Sequence, residues 1–188
     1  MDAVSDNRHV PLCIDLDGTL IATDTLWEGL AAVLIRCPWL LFAVIAWAIA
    51  GKAVLKREIA ARYARKGVEW PYRAEVIERI KTAREAGQPV WLVTGAAEST
   101  ARTIADHLGL FDRVLHSSDT ENLTSRRKRE RLISLCGDGG FDYAGNSRDD
   151  LEVFDAARRA IIVAPDRSAS RWGSTHEAEM LPLAEVSP

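Results

Sequence analysis

Cysteine, histidine and charge of a single sign are all scarce in this chain of 188 residues. The three cysteines, Cys13, Cys37 and Cys136, lie far apart with no CxxC spacing, which excludes a disulfide framework or a structural zinc site. The four histidines, His9, His107, His116 and His176, form no HExxH. With Gly 12 and Pro 7 the chain is not low-complexity. Lys+Arg 24 against Asp+Glu 27 leaves a net charge of -3, so nothing global calls for nucleic acid or another polyanion. Met1 to Arg8 is polar and carries Asp2 and Asp6, so no secretory signal is expected. What is plentiful is apolar side chain, 47% of the residues, enough for one domain with a real core. A soluble, reduced, cytoplasmic protein is the expectation.

Short apolar runs that stop at polar loops mark buried parallel strands. Val10 to Ile14 stops at Asp15, Pro89 to Val93 at Thr94-Gly95, and Phe141 to Ala144 at Gly145; Arg113 to Leu115 and Ala160 to Val163 complete the set. Helical periodicity lies between them. Ala74 to Ala86 puts Val76, Ile77, Ile80 and Ala83 on one face, Glu98 to Leu108 does the same with Ala101, Ile104, Ala105 and Leu108, and Arg127 to Cys136 carries Leu132, Ile133 and Leu135. The alternation predicts an α/β fold, a Rossmann-like parallel sheet flanked by helices. In such sheets ligands collect at the carboxyl ends of the strands, where Asp15, Thr94 and Gly145 fall.

The first crossover is too long. Asp17 and Thr94 lie 77 positions apart, whereas a strand–helix–strand unit takes roughly 30 residues. A helical cap inserted after the first strand is expected over residues 23–87, with 8–22 and 88–188 forming the core; the last helix of the insertion, about 74–86, fits either unit. The cap is strongly apolar: Leu30 to Ala50 carries one charge, Arg36, and Trp27, Trp39 and Trp47 lie in or beside it. A single membrane span there would put Asp15 and Thr94 on opposite sides of the bilayer. Two helices meeting near Cys37-Pro38 are expected instead, with Pro38 opening the second. Their apolar residues form either a cap core or a lipid-facing surface.

Ile14-Asp15-Leu16-Asp17-Gly18-Thr19-Leu20 is the strongest chemical signal. Two carboxylates two positions apart, just past a buried strand, reach one site if the loop stays extended, and Gly18 lets the chain turn. Adjacent anions need a cation or a proton to separate their roles. Magnesium can do so, leaving one carboxylate to attack and the other to move protons. A plain Asx-type turn is the ordinary explanation of DxDG alone.

Further pieces in order argue against that. The DxDGTL stretch closely resembles the opening motif of the haloacid dehalogenase superfamily of phosphohydrolases. Leu92-Val93-Thr94-Gly95 resembles its second motif, Lys128 its third, and Gly145-Asn146-Ser147-Arg148-Asp149-Asp150 its acidic fourth, imperfectly. A competitor for the fourth, Gly137-Asp138-Gly139-Gly140-Phe141-Asp142, follows Lys128 too closely to leave room for a helix and then a strand, and reads as a helix-to-strand turn. The resemblance implies that Asp15 attacks phosphorus and Asp17 serves as acid and then base. Mg2+ would be held by Asp15, the Asp17 backbone carbonyl and Asn146, with Asp150 in the same shell or hydrogen-bonded to it. Thr94, Gly95 and Lys128 would bind the phosphoryl oxygens, and Asp149 would stand behind them. Asn146 stands where the family pattern has a metal-binding Asp. Metal-independent dehalogenases of the superfamily also carry Asn in this region, but they lack the second acid that Asp17 supplies.

From about Val10 to Pro165 the chain also resembles the haloacid dehalogenase domain found amino-terminal to UbiA-type membrane prenyltransferases. Cys37-Pro38-Trp39-Leu40-Leu41, His107 to Asp112 and Phe141 to Ser147 carry that likeness. It implies a phosphorylated small-molecule or polyprenyl-linked phosphosugar substrate, a UbiA-type prenyltransferase partner, and a peripheral place at the inner face of the membrane through the cap. A non-catalytic docking module is the other reading, and the end at Pro188 implies a free-standing relative or an excised module. The basic run Arg126 to Arg131 reads as a solvated helix start with one catalytic Lys, or as an anion-facing surface. No aromatic interleaving accompanies it, so nucleic acid is not expected.

Overall fold

The structure is a computed structural model and describes residues 10–63, 70–118 and 122–183. The polar opening to Arg8, His9, and the outer ends of the core (8–9 and 184–188) lie outside those residues, as does 64–69 of the cap.

Six parallel strands form one sheet: β1 (Leu12–Ile14), β2 (Val90–Ala97), β3 (Arg113–Ser117), β4 (Asp142–Gly145), β5 (Arg159–Val163) and β6 (Ala178–Leu181), in the order β3-β2-β1-β4-β5-β6. β1 is central, with Cys13 in register with Trp91 on one side and Tyr143 on the other. All three of its residues are buried, which is why it reads as an unbroken apolar run. Side chains alternate between faces. Leu12 and Ile14 join one core with Val76, Ile80, Ala101 and Ile104, and Cys13 joins a second with Leu132, Tyr143, Phe154 and Ala169. The first face is covered by α4 (Ala74–Glu85) and α5 (Glu98–Leu108), the second by α6 (Ser125–Cys136), α7 (Leu151–Ala156) and α8 (Arg167–Gly173). The fold is the expected α/β architecture. The sheet order reverses at β1, between β2 and β4, and a crevice opens there at the strands' carboxyl ends.

Between β1 and α4 lie three cap helices, α1 (Thr25–Arg36), α2 (Leu41–Ala50) and α3 (Lys52–Arg62). Asp24 caps α1 by accepting the Leu26 and Trp27 N–H groups at 2.9 and 3.1 Å. A 3₁₀ turn, Pro38–Leu40, joins α1 to α2 where the sequence places Pro38. Among the described residues the cap has its own small core, in which Val33, Val44 and Ile59 are buried. Among the described residues no helix is long and apolar enough to cross a membrane. The edge strand β6 is an addition to the five expected strands; Glu179 interrupts its apolar pattern.

Candidate active site

The loop after β1 is shaped by its own backbone. Asp15 N–H donates to Ala144 O of β4 at 2.9 Å and Gly18 N–H to Thr23 O at 3.0 Å, so the acid pair is held against the neighbouring strand. Gly18 sits at φ +77°, and a Cβ there would lie 2.2 Å from Asn146 Nδ2. Only glycine allows the Asn146 amide to rest against this turn. Two distant loops thus meet at the crevice, and a cavity of about 580 Å³ opens above them. Asp15, Asp17, Gly95, Lys128, Asn146 and Asp150 all line it.

Its floor is an ion network. Lys128 Nζ, buried at the first turn of α6, donates to Asp15 Oδ1 at 2.5 Å, to Tyr143 Oη at 3.0 Å and to Asp150 Oδ1 at 3.5 Å. Tyr143 Oη donates in turn to Asp150 Oδ1 at 2.7 Å. Asp150 Oδ2 accepts the Asn146 and Ser147 N–H groups, both at 3.1 Å, and the Ser147 hydroxyl at 3.2 Å. Every side of the Asp150 carboxylate is therefore engaged. It organises the β4 loop and orients Lys128 at the base of the cavity.

Burial would strip the Lys128 ammonium of its proton, but Asp15 and Asp150 outweigh it and hold the pKa above normal. Asp15 is pushed up to about 7: burial raises it, Lys128 opposes, and Asp150 and Asp17 add to the rise. Asp17 is also raised, by burial, although Thr25 N–H donates to its Oδ1 at 2.7 Å and works against the shift. That bond also ties the second acid to the first turn of the cap.

Thr94 is placed differently from its neighbour. It is fully buried behind the cavity wall and its Oγ1 accepts the Ala96 N–H at 2.9 Å, whereas Gly95 reaches the lining. The β2–β3 register shifts between Val93 and Ala97, so the strand is irregular at this point. The rejected Gly137 to Asp142 stretch follows α6 and leads into β4, with Gly137 and Gly139 at φ +86° and +66°. That is the end of β4 away from the cavity.

Two contributors were not legible in the sequence. Lys56 of α3 lines the cavity and donates to Gly95 O, and to Asn122 Oδ1 at 3.2 Å. Burial, and then neighbouring Lys52, lower its pKa to about 8. Tyr143 is the other. The available signals were the Lys52/Lys56 spacing of one helical turn and a phenol within a buried strand.

Hard oxygen donors line the crevice, namely the Asp15 and Asp17 carboxylates and the Asn146 amide. Among the described residues no three His, Cys, Asp or Glu side chains form a ready-made metal cluster. The donor set fits Mg2+, which keeps several waters and takes one or two carboxylates, better than a metal that needs an all-protein cage.

The family model for haloacid dehalogenase-like hydrolases matches residues 12–154. The chain belongs to that family. A relative, the uncharacterized protein y4nM of Sinorhizobium fredii (strain NBRC 101917 / NGR234), is 40% identical over 157 residues, 84% of this chain and 30% of its own length. The chain thus spans about a third of that relative. Among solved structures, a protein of unknown function from Bordetella pertussis Tohama I superposes with TM-score 0.69 at 14% identity, over 92% of this chain and 98% of its own. A substrate-bound phosphoserine phosphatase superposes with TM-score 0.64 at 15% identity, over 93% of each chain. At these identities the likeness establishes the fold, which is that of the haloacid dehalogenase-like hydrolases.

Proposed function

We propose that this haloacid dehalogenase-like hydrolase is a Mg2+-dependent phosphomonoesterase acting through an aspartyl-phosphate on Asp15. The observation that carries the reading is the Asp15–Lys128 pair at the floor of a cavity that Asp17 also enters. A solved neighbour is a phospho-aspartyl intermediate analogue of phosphoserine phosphatase, at 16% identity and TM-score 0.63, which supports the same chemistry on this fold.

An Asp15 oxygen attacks phosphorus and the ester P–O bond breaks. Asp17, whose raised proton affinity suits an acid, protonates the leaving oxygen and then takes a proton from the water that hydrolyses the acyl phosphate. Such proton transfer contributes about 10²–10⁴-fold. Lys128 and the Gly95 N–H would face the phosphoryl oxygens, while Thr94 shapes the irregular stretch of β2 that presents Gly95. Asp15, the Asp17 carbonyl and Asn146 would hold Mg2+, with Asp150 behind them, and the ion supplies charge neutralisation at the transferring phosphoryl group. Asn146 also suits a metal-independent dehalogenase, but Asp17 favours phosphate, because an alkoxide needs a proton to leave and a halide does not.

Within phosphomonoesters, a polyprenyl-linked phosphosugar is the specific candidate, supported by the apolar cap, and a UbiA-type prenyltransferase the candidate partner. Phosphate release from a panel including such a lipid in detergent, with Mg2+, is the direct test. Release is expected, and in Asp15→Asn it should vanish. Unchanged release in that variant, or metal-free halide release with no phosphatase activity, would overturn the assignment.

A further inference from the structure

Outside the cavity, the most unusual surface is the outer face of the α1–α2 hairpin. Ile35, Trp39, Phe42 and Ile49 are 80%, 72%, 81% and 83% exposed, and Leu41 and Ile45 are half exposed beside them. On α2 the positions Phe42, Ile45 and Ile49 recur at helical spacing on one side, while Leu40, Val44 and Trp47 pack inward in the cap core. An apolar helix with one face packed and the other open to water wants a second apolar phase.

Charge indicates which phase. Between Glu28 and Glu58 there is no acid, and the charges are Arg36, Lys52, Lys56, which faces the cavity, and Arg57, which pairs with Glu58 at 3.0 Å. Two copies placed face to face would bring these bases together. An anionic lipid surface would meet them with opposite charge. Trp39 at the hairpin's turn fits the headgroup boundary, where indoles concentrate. At 10 residues α2 is about 15 Å long, half of a roughly 30 Å hydrocarbon core, so it can lie in the interface but not span it. The face also ends at the catalytic cavity: α2 stops at Ala50, and Lys52 and Lys56 on the next helix line the mouth.

We infer that the α1–α2 hairpin docks on an anionic bilayer surface with the cavity mouth at headgroup level. The inference does not depend on the hydrolase assignment. The test is flotation of the full chain with vesicles of phosphatidylcholine containing about one-third phosphatidylglycerol, and with phosphatidylcholine alone. Binding to the mixed vesicles is expected, at least about tenfold weaker on the neutral ones and at least about tenfold weaker for the double variant Phe42→Ser/Ile49→Ser. Both side chains are exposed, so that variant should keep its thermal midpoint and its turnover of a soluble phosphomonoester. Absence of wild-type binding, or equal binding to neutral vesicles, would overturn the proposal. A dimer that the double variant dissociates, with no flotation of either protein, would assign the face to a second copy instead.

Discussion

Replacing Lys128 with Met keeps an unbranched apolar stem one atom shorter and deletes the ammonium that touches both Asp15 and Asp150. Lys128 is 5% exposed and both acids are buried with it, so only the side facing the cavity can be solvated when the ammonium is gone. Breaking a buried ion pair by removing one partner costs about 3–5 kcal/mol. For a chain of this size each kcal/mol moves the thermal midpoint by about 2–4 °C, so a fall of roughly 6–20 °C is expected for the metal-free protein. Urea unfolding in a chelator measures the loss directly. The pairwise origin is tested by adding Asp15→Asn: with that charge gone the penalty shrinks, and the double variant should recover at least about 1.5 kcal/mol relative to additivity. Turnover should fall about 10²–10³-fold, the usual cost of removing one donor that stabilises developing charge. A stability loss below about 1 kcal/mol together with no coupling to Asp15 would refute the account of the ion network.

Two further outcomes follow from the same charges. Asn146→Asp adds a carboxylate to the crevice; it should lower the thermal midpoint in chelator and enlarge the rise on adding Mg2+, and an unchanged Mg2+ response in a thermal-shift titration would show that Asn146 is no ligand. The raised Asp15 sets a pH dependence of the metal-free fold. Its folded pKa of about 7 exceeds the unfolded value near 3.9, so the native state binds more protons between them and this carboxyl's contribution falls as pH rises through that window. The stability difference between the parent chain and Asp15→Asn, measured in urea from about pH 4 to about pH 7.5, should therefore decline with pH; a flat or rising difference would show that burial does not govern this group.

The sheet was legible because the inner strands β1, β2, β4 and β5 are apolar runs buried on both faces, and the edge strand β3 keeps a short run, Val114-Leu115. β6 escaped because this edge strand is only four residues long and Glu179 interrupts it; α7, at six residues, is too short to display a period. At the site, local signals placed the loops: the acid pair follows the central strand, and Asn146 follows the strand beside it. What the sequence did not reveal is long-range. Tyr143 reads as a core aromatic until Lys128 and Asp150 are seen at its hydroxyl. Lys56 reads as one base on a basic helix until the cap folds over β2 and brings it to Gly95 O. The same blindness applies to Thr94, since a position at a strand end does not say whether the hydroxyl or the next backbone group faces the cavity.

The charge count on the cavity floor constrains what can bind there. Asp15, Asp17 and Asp150 bring three carboxyls to the neighbourhood of one fully buried ammonium, and their mutual repulsion adds to burial in raising Asp15. A phosphate monoester adds nearly two further negative charges at neutral pH. Around the wall Lys52, Lys56 (its pKa already lowered to about 8) and Arg148 are offset by Asp24, Asp149 and Asp166, so the lining adds no net positive charge. On the proposed reading, binding substrate beside an ionised Asp15 calls for positive charge from outside the chain, which a divalent cation held by the oxygen donors would supply. Asn146 in place of a carboxylate would make that cation bind less tightly but leave the loaded floor less negative. An enzyme built this way should depend steeply on Mg2+ concentration, and phosphate and Mg2+ should each strengthen the other's binding. Calorimetric titration of inorganic phosphate with and without Mg2+ reads that coupling, and equal phosphate affinity in both would contradict the charge count.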